Sequence, residues 1–166
     1  MTTVRTLVLL VATLMMGLTA GVFVLYAHTI MPGLRGTDDR TFVAAFQAID
    51  RAIINPWFMI AGFGGAALSA GLAVVVLLGR PPLPFAVAAL VLYLVAVVVT
   101  VVVHVPLNDA IKAAGDPDAI ADLAAVRTRF DEARWTAWNL VRVATTVAAF
   151  ACLAWALVVH GRSTPV

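Results

Sequence analysis

Four stretches of this chain contain no Asp, Glu, Lys or Arg: residues 6–34, 52–79, 81–108 and 143–160. Each reaches or approaches the roughly 20 residues with which an α-helix crosses the hydrocarbon core of a bilayer. Lipid cannot satisfy an open backbone, so segments of this kind are read as helices. With 63% hydrophobic and 12% charged residues in 166, and a mean hydropathy of +1.01, the chain is too apolar for an ordinary soluble domain. The expected fold class is all-α: a four-helix transmembrane bundle forming one integral membrane domain over residues 1–166. Its spans fall near 7–27, 56–78, 85–104 and 138–160, and amphipathic surface helices near 38–54 and 117–133 cap one end.

Composition excludes several classes. The lone Cys152 rules out an intrachain disulfide or a cysteine metal cluster and reads as a packing residue in span four. A formal charge of +2, scattered along the chain, gives no basic patch for nucleic acid. Arg5 ahead of an apolar run with small residues at Leu18, Thr19 and Ala20 imitates a cleaved signal, but the run is long enough for a full span.

Local signals place the connections. Span one carries Gly17 and Gly21 as a GxxxG pair suited to close packing inside the bundle, and Met31-Pro32-Gly33 is expected to stop it. Thr37-Asp38-Asp39 offers an N-cap to a helix whose apolar stripe is Phe42, Phe46, Ile49 and Ile53, with Gln47, Asp50 and Arg51 off the stripe. Asn55 should cap span two, where Ala61, Gly65, Ser69 and Ala73 recur at four-residue steps. Pro106 should end or kink span three. Asp116-Pro117-Asp118 should open the second surface helix, with Ile120, Leu123 and Phe130 inward. On span four, Ala144, Ala148, Cys152 and Ala156 make a second small-residue stripe.

With four crossings, the end of span one, the start of two, the end of three and the start of four share one side of the membrane. Tyr26, His28, Gln47, Asp50, Arg51, Asn55, His104, Asn108, Asp109 and the segment RWTAWNLVR (residues 134–142) therefore gather at one end. The two long connections hold Arg35, Arg40, Arg51, Lys112, Arg127, Arg129 and Arg134, against Arg5, Arg80 and Arg162 opposite. The positive-inside rule then puts the polar end in the cytoplasm, in what is expected to be a bacterial plasma membrane.

The segment 134–142 brings two tryptophans, an amide and two guanidinium groups into apolar surroundings, where unpaired polar groups are expensive. Helical steps of three and four put Trp135, Trp138 and Arg142 on one face, and Arg134, Trp138 and Arg142 on an overlapping row. That face is either an interface anchor or the wall of a polar pocket.

RWTAWNLVR, HVPLND, the stretch from FQAID to INPWF, and MPGL, in this order and spacing, resemble the anthrone oxygenase family of small four-span membrane proteins. The resemblance covers nearly the whole chain. It implies an oxygenase without an obvious organic cofactor, of the kind that converts polyketide anthrones to anthraquinones in fungal members. Asn55, Pro106, Asn108, Arg134, Trp135, Trp138, Asn139 and Arg142 stand where the family pattern has them, whereas His104 replaces a frequent asparagine in a motif resembling NVPLN.

Oxygenation of an anthrone asks for a base, donors for the developing oxyanions and an apolar aromatic pocket. His104 is the candidate base, with Asp50 or Asp109 to orient it; its plainer reading is a histidine at a helix end. Arg142 and Arg134 are candidate oxyanion clamps, against snorkelling or simple ion pairs. Trp135 and Trp138 can sandwich a ring system or belong to the interfacial aromatic belt, and Asn55, Asn108 and Asn139 can orient a carbonyl or merely cap helices. Gln47 and His28 complete the candidate substrate contacts. A metal or haem between His28 and His104 lacks any HxxxH or HExxH spacing, so no metal and no cofactor are expected.

The expected partners are a hydrophobic small-molecule substrate, molecular oxygen and membrane lipid. The competing reading is a non-catalytic protein that binds a lipid or quinone or assists a partner protein. It would show a pocket too narrow for a fused ring system, or one packed shut by Trp135 and Trp138. A transporter is a third reading, disfavoured because no Asp or Glu lies inside any span.

Overall fold

The computed structural model describes residues 2–163. Four helices are long and apolar enough to cross a membrane. They belong to a run of helices that we label α1 Thr2–Arg35, α2 Asp39–Ile53, α3 Trp57–Val76, α4 Leu83–Ala113, α5 Leu123–Phe130 and α6 Glu132–Arg162. The long helices pack as a ring, α1 between α3 and α6, and α4 between the same two.

Small residues allow this closeness. Ala12, Ala66, Ala70, Ala73, Ala86, Ala89, Ala96, Ala149 and Ala156 are buried together with Leu9, Met16, Tyr93 and Leu153. Helices in lipid associate through such contacts, because the surrounding tails are as apolar as leucine. Gly17 packs against the Phe150 ring of α6, whereas a side chain at Gly21 would meet nothing within 4 Å. The glycine pair thus serves the bundle through its first member. On α3, Gly65, Ser69 and Ala73 do face inward; the side chain of Ala61 lies outside the described residues. On α6 the expected stripe is displaced: the buried face is Arg142, Thr146, Ala149, Leu153 and Ala156, and Ala144 is exposed.

Two prolines do not stop their helices. Each long helix instead widens by one residue just ahead of the ring, so that Met31 N–H bonds to Tyr26 O and Val105 N–H to Thr100 O. An ordinary turn would drive the rings of Pro32 and Pro106 into the carbonyls four residues back, and a π-turn lets the chain pass. As a result α1 continues to Arg35 and α4 to Ala113. A third π-wound stretch, Trp57–Gly64, opens α3. There a Cβ on Gly64 would sit 2.9 Å from Met59 O, so glycine is what permits this turn.

A second, aromatic core covers one end: Tyr26, Met31, Phe42, Phe46, Ile111, Phe130 and Trp135. Helix α2 starts as expected, its Asp38 carboxylate accepting from Thr41 N–H, and those bonds hold the carboxyl below its ordinary pKa. Helix α5 is shorter than expected. Asp116 closes a local turn on Asp118 N–H, and the true cap is Asp122, which accepts from Ala125 N–H. It ends where Asp131 adopts a left-handed conformation, φ 54°, and the same residue caps α6 by accepting from Arg134 N–H.

Candidate functional site

Between the alanine-rich bundle and the aromatic cap lies a cavity of about 180 Å³. Its walls come from every long helix: Phe23 and Tyr26 of α1, Phe58 and Phe63 of α3, Thr100, His104 and Asn108 of α4, Trp135 and Arg142 of α6. Helix α2 lays Phe46 and Asp50 against it from above. All three π-turns contribute residues to this lining. Such turns re-aim side chains that a regular helix would turn elsewhere.

Arg142 is 5% exposed and turned into the bundle. Its Nη2 donates to Asn139 Oδ1 at 2.7 Å, and its Nη1 donates to Thr100 Oγ1 at 3.4 Å. The guanidinium lies 4.4 Å from the Phe23 ring centre and 5.4 Å from that of Trp135. Its Nε–H is buried with no acceptor. Among the described residues no carboxylate pairs with it. A buried cation thus rests on two π faces, with an N–H donor still unpaired among the described residues.

A polar chain crosses the roof. Trp135 Nε1–H donates to Asn108 Oδ1 at 2.8 Å, and Asn108 Nδ2 donates to Asp50 Oδ1 at 2.6 Å. Lys112 Nζ then lies 2.8 Å from Asp50 Oδ2 and 3.1 Å from Asp109 Oδ1. His104 is 1% exposed. Its Nε2 lies 3.2 Å from Trp135 O and its Nδ1 3.4 Å from Val99 O. Neither Asp50 nor Asp109 orients it, contrary to expectation; the neutral ring has one N–H, which donates to one of these two backbone carbonyls according to its tautomer.

The expected constellation therefore assembles in part. His104, Asn108, Trp135 and Arg142 line the cavity, and Asn139 stands behind Arg142, donating to Phe23 O at 3.1 Å. Five expected contacts lie elsewhere. Arg134 is exposed, and Trp138 is 40% exposed on the outer side, so no tryptophan sandwich forms. Asn55 is a helix cap, its Oδ1 accepting from Phe58 N–H at 3.0 Å. Exposed His28 bonds to Thr29. Gln47 is fully buried, not off the stripe, and its Nε2 donates to Ile111 O and Gly115 O, joining α2 to α4. Among the described residues no three of His, Cys, Asp and Glu come together.

Phe23, Phe58, Phe63 and Thr100 are wall residues that no motif singles out, whereas the count of crossings already brings Tyr26 to this end. Thr100 did leave a signal: it is the single polar residue in LVAVVVTVVV, one helical turn before His104. The phenylalanines left none, being indistinguishable from any apolar residue of a span.

The sequence model described as anthrone oxygenase matches residues 56–152. No curated protein and no solved structure matches the chain.

Proposed function

The chain belongs to the anthrone oxygenase family, and from that premise we propose that it is a membrane-embedded, cofactor-independent oxygenase of flat, hydrophobic, anthrone-type aromatics. The observation that carries this reading is Arg142, a buried cation without an acidic partner among the described residues, set in an aromatic-walled cavity. A fused-ring substrate would lie against Phe23, Tyr26 and Trp135 with its carbonyl oxygen toward the guanidinium.

The chemistry asks little more than this. A base removes one methylene proton, and the electron pair stays on the ring system as an enolate whose oxygen Arg142 stabilises. One electron passes from this anion to dioxygen, and the radical pair closes a C–O bond. The peroxide anion takes a proton and becomes a hydroperoxide. Its O–O bond then breaks, the second methylene proton leaves with the departing hydroxide as water, and a carbonyl remains. Substrate and O₂ thus give quinone and one water. The substrate is its own reductant, which is why the proposal needs no flavin or metal.

The test is oxygen uptake by purified, metal-stripped protein against a panel of hydroxylated anthrones. We expect one quinone formed per O₂ consumed. Removing a preorganised oxyanion donor lowers turnover by about 10²–10³-fold, and Arg142→Ala should fall in that range. Unchanged kcat/KM in that variant would remove the clamp. No uptake with any anthrone would sink the enzymatic reading and favour a protein that only binds a lipid or quinone.

A further inference from the structure

We propose that Asp50 is the proton acceptor of this reaction, an assignment that rests on the oxygenase reading above. Asp50 precedes the matched stretch 56–152 and sits on α2, the surface helix that roofs the cavity. Two other cavity groups could handle a proton, His104 and Tyr26. Both ring nitrogens of His104 are directed at backbone carbonyls, of Trp135 and Val99, so neither tautomer turns a lone pair to the cavity. The Tyr26 phenol is a donor, and it lies in the fields of both Asp50 and Arg142.

Asp50 is held ready. The indole N–H of Trp135 bonds to Asn108 Oδ1, which fixes the amide so that its Nδ2 faces the carboxylate. Lys112 supplies the countercharge from the outer side. A carboxylate offers about four lone-pair positions, and among the described residues the buried Oδ2 accepts no hydrogen bond, so acceptor capacity remains. The cavity therefore has two poles, a guanidinium on α6 and a carboxylate on α2. An anthrone has the matching form, its carbonyl and its methylene on opposite sides of the middle ring. With the carbonyl oxygen at Arg142, the methylene faces Asp50. The carboxylate takes the proton as the C–H bond breaks, and the resulting acid returns it to the peroxide anion.

Proton removal can be read without oxygenation. Under nitrogen in D₂O, the wild-type protein should speed deuterium entry at the methylene of a hydroxylated anthrone above the buffer rate. Asp50→Asn keeps the acceptor for Asn108 but not the base, and should lower this exchange by about 10²–10⁴-fold, the usual worth of a positioned base. Asp50→Glu should restore part of it, and added formate should rescue Asp50→Gly, which a merely structural role would not allow. Quenching of tryptophan fluorescence by the anthraquinone product reports that each variant still folds and binds.

Asp50→Asn that binds the quinone yet exchanges within about threefold of wild type, far short of a lost general base, would overturn the assignment. So would loss of exchange in His104→Gln with retention in Asp50→Asn. Wild-type exchange that depends on Asp50 without any O₂ uptake would remove the oxygenase reading and leave the base in place. Absence of both exchange and uptake would remove both.

Discussion

Gln47 and Arg142 are both sealed from solvent, yet they play opposite parts. Gln47 uses its whole amide, donating to Ile111 O and Gly115 O and accepting from Arg51 Nη2. It is a structural tie between α2 and the end of α4. Gln47→Leu should cost about 1–3 kcal/mol, since the buried carbonyl of Ile111 and the part-buried one of Gly115 lose their donor. A lower melting midpoint in detergent checks this, and an unaltered midpoint would show that water replaces the amide. Arg142, by contrast, keeps a buried Nε–H with no acceptor among the described residues, the donor that the proposed oxyanion would use. At this scale the sequence was only half legible. At about 100° per residue, Asn139 and Arg142 fall within about 40° of Trp135, while Trp138 lies about 60° and Arg134 about 100° to one side. Steps of three and four admit both sets, and only packing against Phe23 and Asn108 selects the inward one.

The elements were legible where a cap or a long apolar run announced them, as at Asp38, Asn55 and the four spans. The expected stop at Pro32 fails, and of the two outcomes expected at Pro106 the stop fails as well, because proline as a breaker and proline as the cause of a widened turn leave the same letters in the sequence. These turns shape the cavity, and α3 offers a clean test of their worth. A Cβ on Gly64 would stand 2.9 Å from Met59 O, a backbone atom that cannot swing aside, whereas one on Gly71 of the same helix meets nothing within 4 Å. Gly64→Ala should therefore destabilise by about 1–3 kcal/mol, as overpacking does, and weaken quinone binding, because Phe58 and Phe63 lie in that turn and line the cavity. Gly71→Ala should be neutral or stabilise by up to about 1 kcal/mol through helix propensity. Equal melting midpoints for the two variants would show that the π-turn is not held by Gly64.

Counting crossings is enough to bring His104, Asn108 and Arg142 to one end of the molecule. What counting could not supply is how the cap is fastened to the bundle, and this falls largely to Arg127. Its guanidinium lies 4.3 Å from the Phe42 ring centre. It donates to Thr37 O, Asp39 Oδ1, Arg35 O and Glu132 Oε2, joining the end of α1, the start of α2, α5 and α6. Arg35 adds a second pairing to Glu132, and Arg40 an exposed one to Asp118. Several of the basic residues that crowd this end thus hold the cap together, a role that charge counting assigns wholly to membrane orientation. Hydrogen bonds to a charged group are worth about 1.5–3 kcal/mol, so Arg127→Ala should make local opening of the cap easier by that amount. Amides of α2 and α5 should then exchange roughly tenfold to a hundredfold faster. Those between Ala66 and Ala73, which depend on the alanine-rich contacts far from Arg127, should keep their protection. Because Asp50 and Phe46 reach the cavity from α2, the same variant should release bound quinone faster. Uniform acceleration over the whole chain would mean that cap and bundle open as one cooperative unit, and the surface helices could not then act as a separately hinged roof.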